Sequence, residues 1–156
     1  MPSTPIRPVE PADLPALKSV IDENELFPSA LLDDMIAGYF AEDEASGYWL
    51  TYDDGGAVAV AYYAPERMTE GTWNALLLAV RPDQQGKGLG ASLMTYIEQT
   101  LSERGERVLL VETSGLDEFE RTRNFYQKIG YEAEARIREF YARGEDKIVF
   151  RKVLAG

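Results

Sequence analysis

The chain has 156 residues, the length of one domain, and its 45% hydrophobic and 11% aromatic content is enough for a packed core. Sixteen lysines and arginines face 27 aspartates and glutamates, a net charge of -11, so the basic footprint of a nucleic-acid reader is missing and a cationic substrate suits the field better. Cysteine and histidine are both absent, which excludes Ser-His-Asp and Cys-His catalysis, disulfides, a thiol nucleophile and zinc sites built on those ligands.

The opening Met1-Pro2-Ser3-Thr4-Pro5-Ile6-Arg7 has no apolar run of the signal-peptide kind. The longest apolar stretch, residues 57–64, is far short of the ~20 that cross a bilayer. A cytoplasmic chain with no membrane contact is therefore expected, and no linker or repeat divides residues 1–156 into more than one domain.

A short edge strand is predicted over 4–9. A helix follows over 11–21, with Leu14, Leu17, Val20 and Ile21 on one face. A second helix is predicted over 29–40, capped by Ser29 and striped by Leu32, Met35, Ile36 and Tyr39. Strands over 48–52 and 57–63 are joined by Asp53-Asp54-Gly55-Gly56, a hairpin signal. The strand over 73–80 is apolar on both faces from Ala75 to Val80, the pattern of a buried central strand.

After the loop over 81–86, Leu89, Leu93, Ile97 and Leu101 mark a helix that reaches about residue 104, and a buried strand follows over 107–112. Strand, glycine loop, helix and strand make a βαβ unit with parallel neighbours. A helix over 118–129 ends at Gly130, and strands over 132–141 and 146–153 close the chain as a hairpin. The expected fold is α/β (α+β), a mixed, mostly antiparallel sheet with one parallel crossover and flanking helices.

Gln84-Gln85-Gly86-Lys87-Gly88-Leu89-Gly90-Ala91 is the most informative segment. Alternating glycines before a helix leave backbone N–H groups open to an anion, with the helix dipole and Lys87 adding positive charge, so diphosphate is the natural ligand class. A P-loop does not fit, because Gly88 follows Lys87 where a metal-binding Ser or Thr is required. The dinucleotide fingerprint is formally matched, and Glu112 stands where a ribose-binding acid would. However, residues 81–85 separate the glycines from their strand, and the 44 residues after Glu112 cannot form a second half.

The same loop, with Gln85, Gly88 and Gly90, resembles the acetyl-CoA motif of the GNAT N-acetyltransferases. Asn124-Phe125-Tyr126-Gln127-Lys128-Ile129-Gly130-Tyr131 fits that family as well. The resemblance implies a splayed pair of central strands, with acetyl-CoA as cosubstrate and no metal. It places the diphosphate on Gly86, Lys87, Gly88, Leu89, Gly90 and Ala91. It also sets the pantetheine arm along Leu78, Ala79 and Val80, whose backbone supplies an N–H to the thioester oxygen.

By the same resemblance Tyr126 is the acid beside the CoA sulfur; read by itself, it is a packing tyrosine. Glu112 ends the second parallel strand, where such sheets hold ligands. It resembles the glutamate of the ribosomal-protein N-terminal acetyltransferase branch and is the candidate base, against a solvated strand-end carboxylate. That branch has an asparagine seven residues before the tyrosine, where this chain has Phe119. The implied activity is transfer of acetyl to a primary amine of a small molecule by direct attack in a ternary complex. A protein N-terminal or lysine acceptor and a non-catalytic CoA-binding module are the alternatives. The terminal hairpin offers an edge for a homodimer, and Arg136 and Arg138, two apart on its first strand, share a face.

Overall fold

A computed structural model describes residues 5–154. Its strands are β1 (Ile6–Pro8), β2 (Tyr48–Asp53), β3 (Ala57–Pro65), β4 (Thr72–Val80), β5 (Val108–Ser114), β6 (Glu132–Ala142) and β7 (Glu145–Val153). The helices are α1 (Leu14–Glu23), α2 (Leu32–Phe40), α3 (Leu89–Glu103) and α4 (Glu120–Lys128). The strand order is β1-β2-β3-β4-β5-β7-β6, mostly antiparallel, with β4 and β5 parallel. No helix among the described residues is long and apolar enough to cross a membrane. The expected element order therefore holds, with helix starts tightened into 3-10 turns at Pro11–Asp13 and Ser29–Leu31. Thr4, the start of the predicted first strand, lies outside the described residues.

Two compact units divide the chain, one of residues up to Pro65 with Leu76–Gln99 and the other of Glu66–Ala75 with the remainder. In the first, β1, β2 and β3 pair antiparallel, and the β2–β3 hairpin turns through Gly55 and Gly56 at positive φ. Its core packs Leu17, Val20 and Ile21 of α1 with Leu32 and Ile36 of α2 and with Trp49 and Val60. Trp49 stacks on Tyr62 at 4.4 Å. Ser29 does not cap α2. Its hydroxyl instead donates to Asp22 Oδ2 at 2.9 Å, because the preceding 3-10 turn carries the chain into the helix.

The second unit holds the β5–β7–β6 ladder, with Thr72–Ala75 of β4 paired to β5. One face is closed, where Val111 pairs with Phe150 and Thr113 with Ile148; the other is half-exposed, where Leu110 pairs with Arg151 and Glu112 with Val149. The outer strand β6 is exposed along its whole length. Its register breaks between Ala133 and Ala135 and again beyond Ile137, and Glu139 takes a positive φ. Such bulges blunt an edge against pairing with another strand. Arg136 is held within the hairpin by Asp146.

A staple ties β1 to the turn before α1. Arg7 donates from Nη1 and Nη2 to both oxygens of Asp13, each at 2.8 Å, and Glu10 N–H donates to Asp13 Oδ2 at 2.7 Å. Arg7, above all, holds the Asp13 carboxyl below the usual carboxylate range. A lowered native pKa means the stabilisation is present above the ordinary Asp value and is lost as pH falls through the native one. Asp13→Asn is expected to lose about 2 kcal/mol at pH 7 in urea unfolding, and the gap to the parent should close as pH falls toward 3.

Candidate functional site

The glycine loop begins where β4 ends. Arg81 N–H donates to Val58 O at 2.8 Å, and Pro82–Gln84 form one 3-10 turn before the glycines. Gly86 and Gly88 have φ of +80° and +82°, a region costly for any side chain, and nothing lies within 4 Å of where a Cβ would sit on either. They are glycines because the backbone must turn there, and the space above them is open. Gly88 O accepts the Ser92 N–H, so the helical ladder starts at Gly88 and the first-turn N–H groups have no partner within α3. Unpaired N–H groups at a helix start are a form that anion sites use.

Gln85, a motif residue, is exposed but bonded back to the protein. Its Nε2 donates to Val80 O and to Asn24 Oδ1, both at 3.0 Å, and Asn24 Nδ2 donates to the same Val80 carbonyl at 3.0 Å. Gln85 thus clamps the end of β4 to the end of α1. The Val80 carbonyl accepts from both side chains. Asn24 was invisible in the sequence, since it lies 61 residues from Gln85. Lys87 Nζ reaches only the side chain of Gln84, at 3.5 Å, and stays exposed. The apolar run of β4 is not buried throughout: Leu76 is 51% exposed and Leu77 and Leu78 are half-buried. An apolar surface left open in mid-strand is the form a ligand-facing strand takes.

Glu112 does not end its strand. Thr113 and Ser114 continue β5 by pairing with Ile148 and Lys147, so Glu112 projects from within the half-exposed face. Its Oε2 accepts from Asn74 Nδ2 at 3.0 Å, and its Oε1 lies 3.0 Å from Lys147 Nζ. Asn74, on the neighbouring strand, is 2% exposed and gives its other amide hydrogen to Glu66 Oε1 at 3.0 Å. Its own Oδ1 is buried and accepts nothing. Lys147 also sits over the Phe140 ring, 4.0 Å from its centre. The phenol of Tyr141 is raised by partial burial and by the charges of Glu112 and Glu145. Asn74, Glu66 and Lys147 escaped the sequence reading. The one available signal was a lone asparagine inside the apolar run of β4.

Tyr126 is 8% exposed, ringed by Phe125, Tyr131 and Phe150 at 5.1 to 5.9 Å between ring centres. Its position follows from how α4 ends. Gly130, at φ +99°, donates its N–H to Gln127 O, and Tyr131 N–H donates to Tyr126 O. This pair of bonds is a Schellman motif, whose accompanying apolar contact joins residues five positions apart, here the rings of Tyr126 and Tyr131. The spacing Tyr-x-x-x-Gly-Tyr thereby has a physical cause. Burial pushes the Tyr126 phenol up to about 12, so it carries its proton at neutral pH. Asn124 stays exposed on α4. Among the described residues no group of three or more Asp or Glu could hold a metal ion.

The acetyltransferase (GNAT) domain family matches residues 44–133. A GNAT-family protein of Desulfovibrio desulfuricans is similar in structure, with a TM-score of 0.88, 30% identity, and 96% of this chain and 98% of that one covered. A Salmonella typhimurium protein solved with its cofactor acetyl-CoA has a TM-score of 0.79 at 18% identity, over 98% of this chain and 95% of its own. The ribosomal-protein-S18-alanine N-acetyltransferase of Escherichia coli has a TM-score of 0.73 at 23% identity, over 97% and 94%. No curated protein matches.

A raised tyrosine pKa stabilises the fold fully below the unfolded value of 10, and that contribution is lost as pH rises toward 12. Urea unfolding from pH 9 to 11.5 should show Tyr126→Phe lacking a loss of about 1.4 kcal/mol per pH unit that the parent shows above pH 10. Gly130→Ala is expected to cost about 1 kcal/mol in the same assay, because alanine is strained at that φ.

Proposed function

The chain belongs to the GNAT N-acetyltransferases, and from that footing we propose that it moves the acetyl group of acetyl-CoA to a primary amine in the cytoplasm, as a single domain over 1–156. The observation that carries this reading is the open cradle of Gly86 and Gly88 at the head of α3. The first-turn N–H groups of Leu89, Gly90 and Ala91 and the Lys87 ammonium would hold the CoA diphosphate. Leu78, Ala79 and Val80 would offer their backbone to the pantetheine arm, and Gln85 keeps the strand end in place through the Val80 carbonyl.

Glu112 is the base. An alkylamine of pKa near 10.4 is an ammonium at pH 7, and removing its proton costs about 4–5 kcal/mol. Glu112 accepts that proton, directly or through a water, and the freed nitrogen forms its bond to the acetyl carbon in a ternary complex. Tyr126 gives its hydroxyl proton to the sulfur as the carbon–sulfur bond breaks. A phenol near pKa 12 is a weak acid that stays loaded throughout the neutral range. With no cysteine in the chain, an acetyl-cysteine route is closed.

Release of free thiol from acetyl-CoA over a panel of small amines and peptides tests the activity. Release with small amines is expected. Release with peptides alone would shift the reading to a protein acceptor, and none at all, with acetyl-CoA still raising the melting temperature, would favour a binding module. Tyr126→Phe should lower kcat about 10²-fold and leave CoA affinity nearly intact; an unchanged kcat removes Tyr126 as the acid. Gly88→Val, strained at φ +82°, should abolish the thermal shift that acetyl-CoA gives the parent.

A further inference from the structure

The Glu112 carboxylate is held by two groups of different kind, an amide on one oxygen and an ammonium on the other. Asn74 is buried, and its two amide hydrogens are both engaged by Glu66 and Glu112, so the contact to Oε2 belongs to the rigid frame. Lys147 reaches Oε1 on a flexible four-carbon stem. Its ammonium lies 3.0 Å from that oxygen and 4.0 Å from the centre of the Phe140 ring. A carboxylate and an aromatic face are the two partners that recognise an alkylammonium. The Lys147 and Glu112 side chains keep 13% and 25% of their surface open, and the neighbouring Phe140 and Tyr141 are exposed, so the pair lies just beneath the surface. The Glu112 oxygen that Asn74 leaves unlocked is the one that Lys147 covers.

We propose that Lys147 occupies, in the free protein, the place of the acceptor's ammonium group, and that Glu112 and Phe140 form an acceptor subsite for a primary ammonium on an unbranched alkyl arm. The proposal rests on reading Glu112 as the base, and it names the acceptor class from the side chain that stands in for it. An incoming amine must displace Lys147, which competes as an intramolecular ligand at high effective concentration. The exchange is ammonium for ammonium, so the total charge at Glu112 does not change. A branched carbon next to the nitrogen is bulkier than the single methylene that carries the Lys147 nitrogen to its place 4.0 Å from the centre of the Phe140 ring.

Lys147→Met keeps the stem and removes the competitor. Titration of n-butylammonium chloride by calorimetry should give a Kd roughly 10-fold lower for Lys147→Met than for the parent, and KM for n-butylamine in the thiol-release assay should fall in parallel. The gain should vanish in Lys147→Met/Glu112→Gln and in Lys147→Met/Phe140→Leu, and tert-butylammonium should show none. A Kd and KM equal to or weaker than the parent's would overturn the proposal and leave Lys147 a structural ion pair. Lys147→Gln provides the same comparison if the methionine variant does not fold. The calorimetric Kd needs no turnover, so a protein that acetylates nothing still tests the subsite. Conversely, turnover that survives Glu112→Gln removes the base while the Kd comparison stands.

Discussion

The candidate site hangs on backbone turns that only glycine takes without strain. Gly86 and Gly88 hold left-handed dihedrals at the start of α3, and Gly130 holds one at the end of α4. At the first pair the turn frees N–H groups to face an anion, and the absence of any neighbour above the glycines keeps that space clear. At Gly130 the turn closes the Schellman motif that draws Tyr131 against Tyr126. The groups proposed to bind diphosphate and to protonate sulfur are thus placed by helix ends, and helix ends are local events.

The carboxylate chemistry has a different origin. Glu112 is positioned by side chains from other strands, and the cost of leaving a part-buried carboxylate unpaired explains why they are there. Asn74 satisfies two acids with one nitrogen, which keeps Glu66 and Glu112 apart in direction while bonding both. Its own carbonyl goes without a donor, so the frame is built at the expense of one buried acceptor. Lys147 completes the charge balance from the hairpin strand. A carboxylate held this way has one contact from a buried amide and one from a lysine, which suits the proton-accepting role proposed for it.

Gln85 shows how a motif residue can act by holding structure. It lies in the segment that resembles the acetyl-CoA motif, and its amide nitrogen donates to Asn24 and the Val80 carbonyl. Likewise the leucines of β4, read as a buried central strand, include Leu76 at half exposure. A run of apolar residues says that a strand has two dry faces; it does not say whether protein or ligand keeps them dry.

The sequence by itself determined the element order, the β2–β3 hairpin turn, the glycine turns before α3 and the end of α4 at Gly130, and it nominated Tyr126 and Glu112. Each of these is encoded within a few neighbouring positions, by hydrophobic period or by a residue with a special φ. Tertiary structure alone decided that Asn24 locks Gln85, that Asn74 and Lys147 hold Glu112, and that Glu112 sits inside its strand rather than at its tip. Those contacts join residues 35 to 61 positions apart, where pairing depends on strand register and no local pattern carries it. The opening absences of cysteine and histidine gain their meaning there. In a chain without either residue, the proton transfers proposed above fall to a carboxylate and a phenol, and the fold supplies the amide, the ammonium and the aromatic rings that surround them.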